Sequence, residues 1–401
     1  MILRPTARLA SLTTIALLLV GCGRSRPNTQ VAPELKGPEM RKKYFYANRP
    51  YGTESQFNPM TSFLNNGYDQ VRTFPDHRVF DFDYGQGTKA VWNSVVRVDH
   101  LVRQYGARTW LKYEVFPLSS KGEGGGQWVP NYQLHLFAGG TNYIRLISWF
   151  EQRDVPHPRV AAVTTFLAQH ALNEIVENGA YTRGNIDATT DLLIFDPAAL
   201  LFWNSDRVQR FFGSRLEFTE WPGQPSLDLP GRSVENTFET TMVRLRTRRF
   251  PNWRLFTTMG GSYVGGISHR GRDSTWWSLG AGADAINNPV LDTLTGRKTV
   301  ELRGNVGLFL DKNGSLLGSI LIQSALHAGA QSYTNGPPVT TGSLTVTNER
   351  CECARAAVNI YPGVVRIGTW SPGIWVEYLR SHAMRFGVTS KWGVGLGHNP
   401  H

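Results

Sequence analysis

Residues 300–311 read Val-Glu-Leu-Arg-Gly-Asn-Val-Gly-Leu-Phe-Leu-Asp, and the alternation in this stretch decides the fold. Successive side chains of a strand point to opposite sides. Val300, Leu302, Gly304, Val306, Leu308 and Leu310 therefore share one face, and Glu301, Arg303, Asn305, Gly307, Phe309 and Asp311 share the other. Asn313-Gly314 follows at once and suits a type I′ hairpin, so the chain is expected to run back over 315–324. The same period of two appears at 385–396, 238–246, 253–264, 276–283, 356–361 and 374–379, with 215–220 as a shorter candidate.

One face of these strands is almost free of charge, whereas the other carries Glu301, Arg303 and Lys391 and is rich in glycine. Trp253, Trp276, Trp370, Trp375 and Trp392 fall near expected strand ends. Apolar residues outward, polar or small residues inward and aromatic girdles are the pattern of an outer-membrane barrel. A soluble β-sandwich also alternates, but it would place charge on the outer face. Such barrels often end on an aromatic residue, and this chain ends Gly397-His-Asn-Pro-His401. The expected fold is α+β, a helical N-terminal region followed by an antiparallel transmembrane β-barrel of roughly eight to ten strands.

Upstream the period lengthens. Val91, Val95, Val98, Leu101 and Val102 mark one helix over 88–105, and 108–118 reads as a strand before a Gly-rich loop at 121–127. A long apolar run, 134–150, contains Gly139-Gly140. A Pro-containing turn at 154–158 then leads into a second helix over 159–177, giving an expected antiparallel helix pair. A short helix begins at Pro197 with Asp196 as its expected N-cap.

The densest polar cluster is His170, Asn173, Glu174 and Glu177, spaced i, i+3, i+4, i+7 and hence on one helix face. His135 lies on the partner helix, and Asp187, Asp191 and Asp196 follow downstream. A His and a Glu one turn apart can bind a divalent metal or act as an oriented base. His170, Glu174, Glu177 and Asp191 are therefore the candidate catalytic residues; the bland alternative is mutual satisfaction where helices pack. Arg244, Arg246 and Arg248 alternate on a strand and could meet lipid headgroup phosphates, or simply line an inner wall. Nucleophile-elbow, zincin and Walker motifs are absent, and no cofactor is implied. Cys351 and Cys353 form a C-x-C pair, a poor intramolecular disulfide.

At the N-terminus Arg4 and Arg8 precede an apolar run that closes on Leu19-Val20-Gly21-Cys22. The run is shorter than the roughly 20 residues of a spanning helix and fits a secretory signal. The four closing residues resemble the lipobox of bacterial lipoproteins, which implies acylation of Cys22, and Gly23 after it implies sorting to the outer membrane. Residues 1–21 are then a signal peptide, 22–39 a polar tether, 40–213 a mostly helical membrane-associated region, and 214–401 the barrel. Loss of 1–21 removes two arginines from a chain of net charge +11, leaving 40 basic against 31 acidic residues. Export argues against nucleic acid as the partner of that charge. Membrane lipid, lipopolysaccharide or another envelope protein is expected instead. Residues 131–203 resemble uncharacterised bacterial membrane-associated families in which a helix with spaced acids precedes an Asp-containing stretch and a short apolar helix. The expected role is structural or binding in the envelope; the alternative is an outer-membrane enzyme acting on lipid or glycolipid.

Overall fold

The structure, a computed structural model, describes residues 45–73, 78–117, 129–180, 186–245, 249–292, 297–334, 354–391 and 393–399. Cys22, the expected signal and tether, Arg246, Arg248, Trp392, Cys351 and Cys353 lie outside the described residues. Helices occupy the chain up to Arg215 and strands follow from Thr219.

The helical layer contains α1 (Gly52–Gln56), α2 (Pro59–Gly67), α3 (Tyr84–Val96), α4 (Val98–Tyr105), α5 (Ala107–Trp110), α6 (Gly140–Glu151), α7 (Pro158–Ala180), α8 (Asp187–Thr190), α9 (Asp196–Trp203) and α10 (Asp206–Arg210). The Asn58 side chain accepts the Met60 and Thr61 N–H groups, Thr61 Oγ1 accepts the Asn58 N–H, and Pro59 opens the helix, a capping box with proline at the first position. α7 is the hub: α2, α3 and α6 all pack on it. The turn expected at 154–158 and the helix after it are present, the latter extended to Ala180.

Two expectations upstream are corrected. The single helix over 88–105 is broken at Arg97, where the Ser94 carbonyl accepts the Thr189 hydroxyl at 2.9 Å. The expected strand at 108–118 is α5 followed by a π-helical turn, Leu111–Val115. Its aromatic and β-branched residues fit a strand, but they anchor it among helices: Trp110 Nε1 donates to Thr190 Oγ1 (2.9 Å) and Tyr132 donates to the Val115 carbonyl (2.8 Å).

The sheet has thirteen strand segments, β1 (Thr219–Glu220), β2 (Ser226–Asp228), β3 (Ser233–Glu235), β4 (Thr240–Leu245), β5 (Trp253–Gly260), β6 (Tyr263–Arg270), β7 (Thr275–Asp292), β8 (Arg297–Lys312), β9 (Ser315–Thr334), β10 (Ala354–Ile360), β11 (Gly373–Leu379), β12 (Met384–Thr389) and β13 (Gly395–His398). Their order is β1-β4-β5-β6-β7-β8-β9-β10-β11-β12-β13-β2-β3, open as paired, in place of the closed ring of eight to ten strands expected. Every neighbour is antiparallel except β13 and β2. The surplus over the expected count has local causes. All three residues of β3 are buried, so the stretch shows no alternation. Residues 253–264 are not one strand but β5 and the start of β6, turned at Gly260 with φ +104. Residues 385–396 likewise divide into β12 and β13 around Gly393 at φ +88, where an added Cβ would meet Thr61 and Gln56. The Asn313-Gly314 turn has φ of 53 and 85, as the type I′ turn requires.

Register sets the faces. Leu245, Leu255, Ile267, Leu279, Leu308, Ile320, Val358, Val376 and Phe386 stand directly opposite one another across β4 to β12. None of them is fully buried, and six are openly exposed. Beside this row, Trp253, His269 and Trp277 are also in register, with the Trp253 and His269 rings 4.4 Å apart. The opposite face is buried and polar. Arg244 pairs with Asp311 (2.5 Å) and bonds to Ser268 and Ser278; Asp284 accepts from Asn305 and Gln323; Arg385 pairs with Glu235 (3.1 Å). Over 303–311 the two faces are thus as read, with the polar one buried and the apolar one the more exposed. Among the tryptophans, Trp253 and Trp370 are exposed as expected at strand ends, whereas Trp276 and Trp375 are buried.

Candidate functional site: a buried histidine–carboxylate cluster

The helical layer brings two histidines and a set of carboxylates into one buried cluster. α7 supplies His170 and, one turn on, Glu174. His135 comes from a π-helical segment, Val129–Gly139, that leads into α6. Asp191 and Asp196 bracket a π-helical turn, Asp191–Phe195, in which the Asp196 N–H donates to the Asp191 carbonyl. In an α-helix residues five apart diverge by about 140° around the axis. The wider π turn swings Asp196 back to the side of Asp191, an irregularity frequent at functional sites.

The geometry is tight. His170 Nδ1 lies 2.6 Å and His135 Nδ1 3.1 Å from Asp196 Oδ1, and His135 Nε2 lies 3.3 Å from Asp191 Oδ2. The imidazole rings meet edge to face at 4.9 Å, and Phe166 covers His170 at 4.2 Å. Gly139 is needed here: an added Cβ would lie 2.8 Å from the His170 ring. Gly140 performs the same service for Trp203, whose ring would clash with an added Cβ. The Gly139-Gly140 pair that interrupts the apolar run is therefore room for two rings.

Electrostatics separate the two aspartates. Burial opposes ionisation of Asp196, but the charge and hydrogen bonds of His170 and His135 outweigh it and hold the carboxyl at about 2. Burial raises Asp191 well above the usual carboxylate range, and the charges of Asp187, Glu174, Asp196 and Glu114 push in the same direction. The donor atoms form two groups, His135–His170–Asp196 and His135–Glu174–Asp191, each with its atoms within 4.8 Å of one another. Such N/O sets suit a divalent ion or an oriented acid–base pair.

Of the residues singled out from sequence, His170, Glu174 and Asp191 converge. Glu177 is buried on α7 but belongs to neither donor group, and Asn173 turns away to bond Asn66 and Asp69. The partner of His170 is Asp196 rather than Glu174. Asp196 does not cap α9; it is the helix's first residue, and its side chain meets the two imidazoles. Arg244 sits on the buried face of the sheet with Asp311 as its partner. A cavity of about 440 Å³ between sheet and helices is also lined by arginines. Of these, Arg49, Arg244 and Arg254 already pair with Glu54, Asp311 and Glu217. No protein-family model, curated protein or solved structure matches the chain.

Proposed function

We propose that the protein is embedded in the bacterial outer membrane through its sheet, with a structural or binding role in the envelope. The observation that carries this reading is the uncharged exposed row from Leu245 to Phe386 backed by a face of buried ion pairs. A water-soluble antiparallel sheet does the reverse, polar side out. A continuous exposed apolar surface of this kind marks contact with lipid or a partner. No helix among the described residues is long and apolar enough to cross a membrane.

Closure into a barrel is supported at the two open ends. β1 runs into β2, and β3 into β4. Between the paired segments Trp221 donates to the Thr240 carbonyl (2.7 Å) and Gly223 to the Phe238 carbonyl (2.8 Å), in the register that β1–β4 and β2–β3 already keep. Taken as one continuous hairpin, 219–245 reduces thirteen segments to eleven strands with no free edge. An odd number of strands in alternating direction closes only through one parallel contact, and β13–β2 is parallel.

In this reading Cys22 carries an acyl anchor, and membrane lipid, lipopolysaccharide or a second envelope protein is the partner. A second reading, an envelope enzyme acting on lipid or glycolipid, draws on His170, Glu174 and Asp191. Two measurements test the first. In vesicles with brominated acyl chains the tryptophan emission is quenched, and less so in the Trp253→Phe/Trp277→Phe variant; quenching absent from the folded wild type sinks the reading. Metabolic acyl labelling should disappear in Cys22→Ala, and label that persists there refutes the anchor.

A further inference from the structure

We propose that His135, His170 and Asp196 bind one divalent first-row transition-metal ion, with Asp191 as the group that orients His135. Four observations support it. Both Nδ1 atoms already point at one oxygen of Asp196, at 3.1 and 2.6 Å. Ligands about 2.0–2.1 Å from a tetrahedral ion sit about 3.3 Å apart, so tenths of an ångström on the His135 side and somewhat more at His170 open the site. Asp196 Oδ2 and Asp191 Oδ1 are buried and accept no hydrogen bond among the described residues, a costly state for buried carboxylate oxygens. Neither aspartate pairs with a described arginine or lysine; among the described residues their ion-pair partners are the two imidazoles.

The fourth observation is the outer contact. A ligating histidine characteristically gives its other ring N–H to a carboxylate, which fixes the tautomer. His135 Nε2 faces Asp191 Oδ2 at 3.3 Å while its Nδ1 faces the proposed ion. Glu174 lies beyond, in the second donor group with Asp191. Two imidazoles and a carboxylate select zinc, manganese, iron(II) or cobalt(II) over calcium, which prefers oxygen alone, and over copper(I), which prefers sulfur. Three protein donors leave a coordination position open. The crowding of carboxylates around Asp191 is itself relieved by a cation. The His135 side chain, 11% exposed, is the most accessible of the three donors and marks the way in.

The test uses the full-length chain in detergent, with no polyhistidine tag, stripped by chelator and dialysed. Cobalt(II) titration is expected to give visible d–d bands that saturate at one ion per chain and vanish on adding zinc. His170→Gln and Asp196→Asn should weaken cobalt binding by 100-fold or more. Asp191→Asn should weaken it by about 10–100-fold, as loss of an outer partner does, and His269→Gln should bind as wild type. Should the site variants misfold, X-ray absorption of zinc-loaded wild type decides: two imidazoles in an N/O shell at about 2.0–2.1 Å support the centre. A wild type that binds no cobalt while folded, a His170→Gln variant of unchanged affinity, or a zinc shell without imidazole overturns it.

Discussion

Leu279→Arg separates a lipid-facing sheet from a water-facing one. Leu279 is 53% exposed, the fifth residue of β7, with Ile267 and Leu308 directly opposite on its two neighbours. If that face meets water, the substitution removes little burial and should cost within about 0.5 kcal/mol, as surface changes do. If it meets acyl chains near the midplane, arginine costs about 2–4 kcal/mol. At 1.4 kcal/mol per decade that is a shift of about 30- to 1,000-fold in the folding constant. The assay is reversible urea unfolding in phospholipid vesicles, with Leu229→Arg as the reference. Leu229 is 65% exposed but lies in the turn between β2 and β3, off the apolar rows. A large penalty at 279 with a small one at 229 is expected. Equal and small penalties at both sites would refute the assignment of the outer face to lipid.

Three further outcomes follow from individual contacts. Arg244→Met leaves buried Asp311 without its guanidinium and should cost about 3–5 kcal/mol, most of it recovered in Arg244→Met/Asp311→Leu; the same unfolding assay reads both. Gly140→Ala drives a Cβ into the Trp203 indole and should lower stability by about 1–3 kcal/mol or more, seen as a fall in thermal midpoint, whereas a neutral result would contradict the packing of α6 on α9. Burial raises Tyr84, and the neighbouring Tyr68 phenol adds to the rise. The folded state therefore keeps a proton that the unfolded chain loses above its pKa of about 10, so stability falls as pH climbs past that value. Tyr84→Phe should lessen the slope between pH 10 and 11 by about 1 kcal/mol per pH unit, and an unchanged slope would remove Tyr84 from the linkage.

What could be read from the sequence tracks the regularity of the backbone. Where a strand has one buried face, as at 300–311, two-residue alternation identifies both the strand and the side that is charged. Where both faces are covered, as in β3, or where a glycine at positive φ folds one run into two, as at Gly260 and Gly393, the alternation carries no boundary. The helix from 158 to 180 was legible because proline opens it and its apolar spacing is unbroken. The site was legible only in half. His170 and Glu174 follow the helical period, so their shared face is visible. Asp196 owes its place to a π turn, whose period matches neither 2 nor 3.6, and its position before a proline makes it resemble a cap. The one available sign was Gly139-Gly140 inside an apolar run, since paired glycines in a helix imply close approach by something large.

The compensation of buried acids differs between the sheet and the helical layer, and the difference bears on chemistry. Along the sheet, carboxylates meet guanidinium groups: Glu220 with Arg145 at 2.9 Å, Glu235 with Arg385 at 3.1 Å and Asp311 with Arg244 at 2.5 Å. Arginine stays charged at any accessible pH and offers only donors, so these pairs can hold the fold but cannot exchange a proton or a ligand. Polar contacts such as Gln56 to Thr389 (2.6 Å) and Asn65 to the Gly223 carbonyl (3.2 Å) bind the helical layer to the same buried face. Among the helices, Asp191 and Asp196 instead meet imidazole. Imidazole is the cationic side chain that readily gives up its proton near neutral pH and then presents a lone pair. A buried acid matched to histidine can thus trade a proton for a metal ion or pass it to a substrate, and a buried acid matched to arginine cannot. That chemical asymmetry, rather than the density of charge alone, makes the π-turn cluster the place where this protein can do something besides hold its shape.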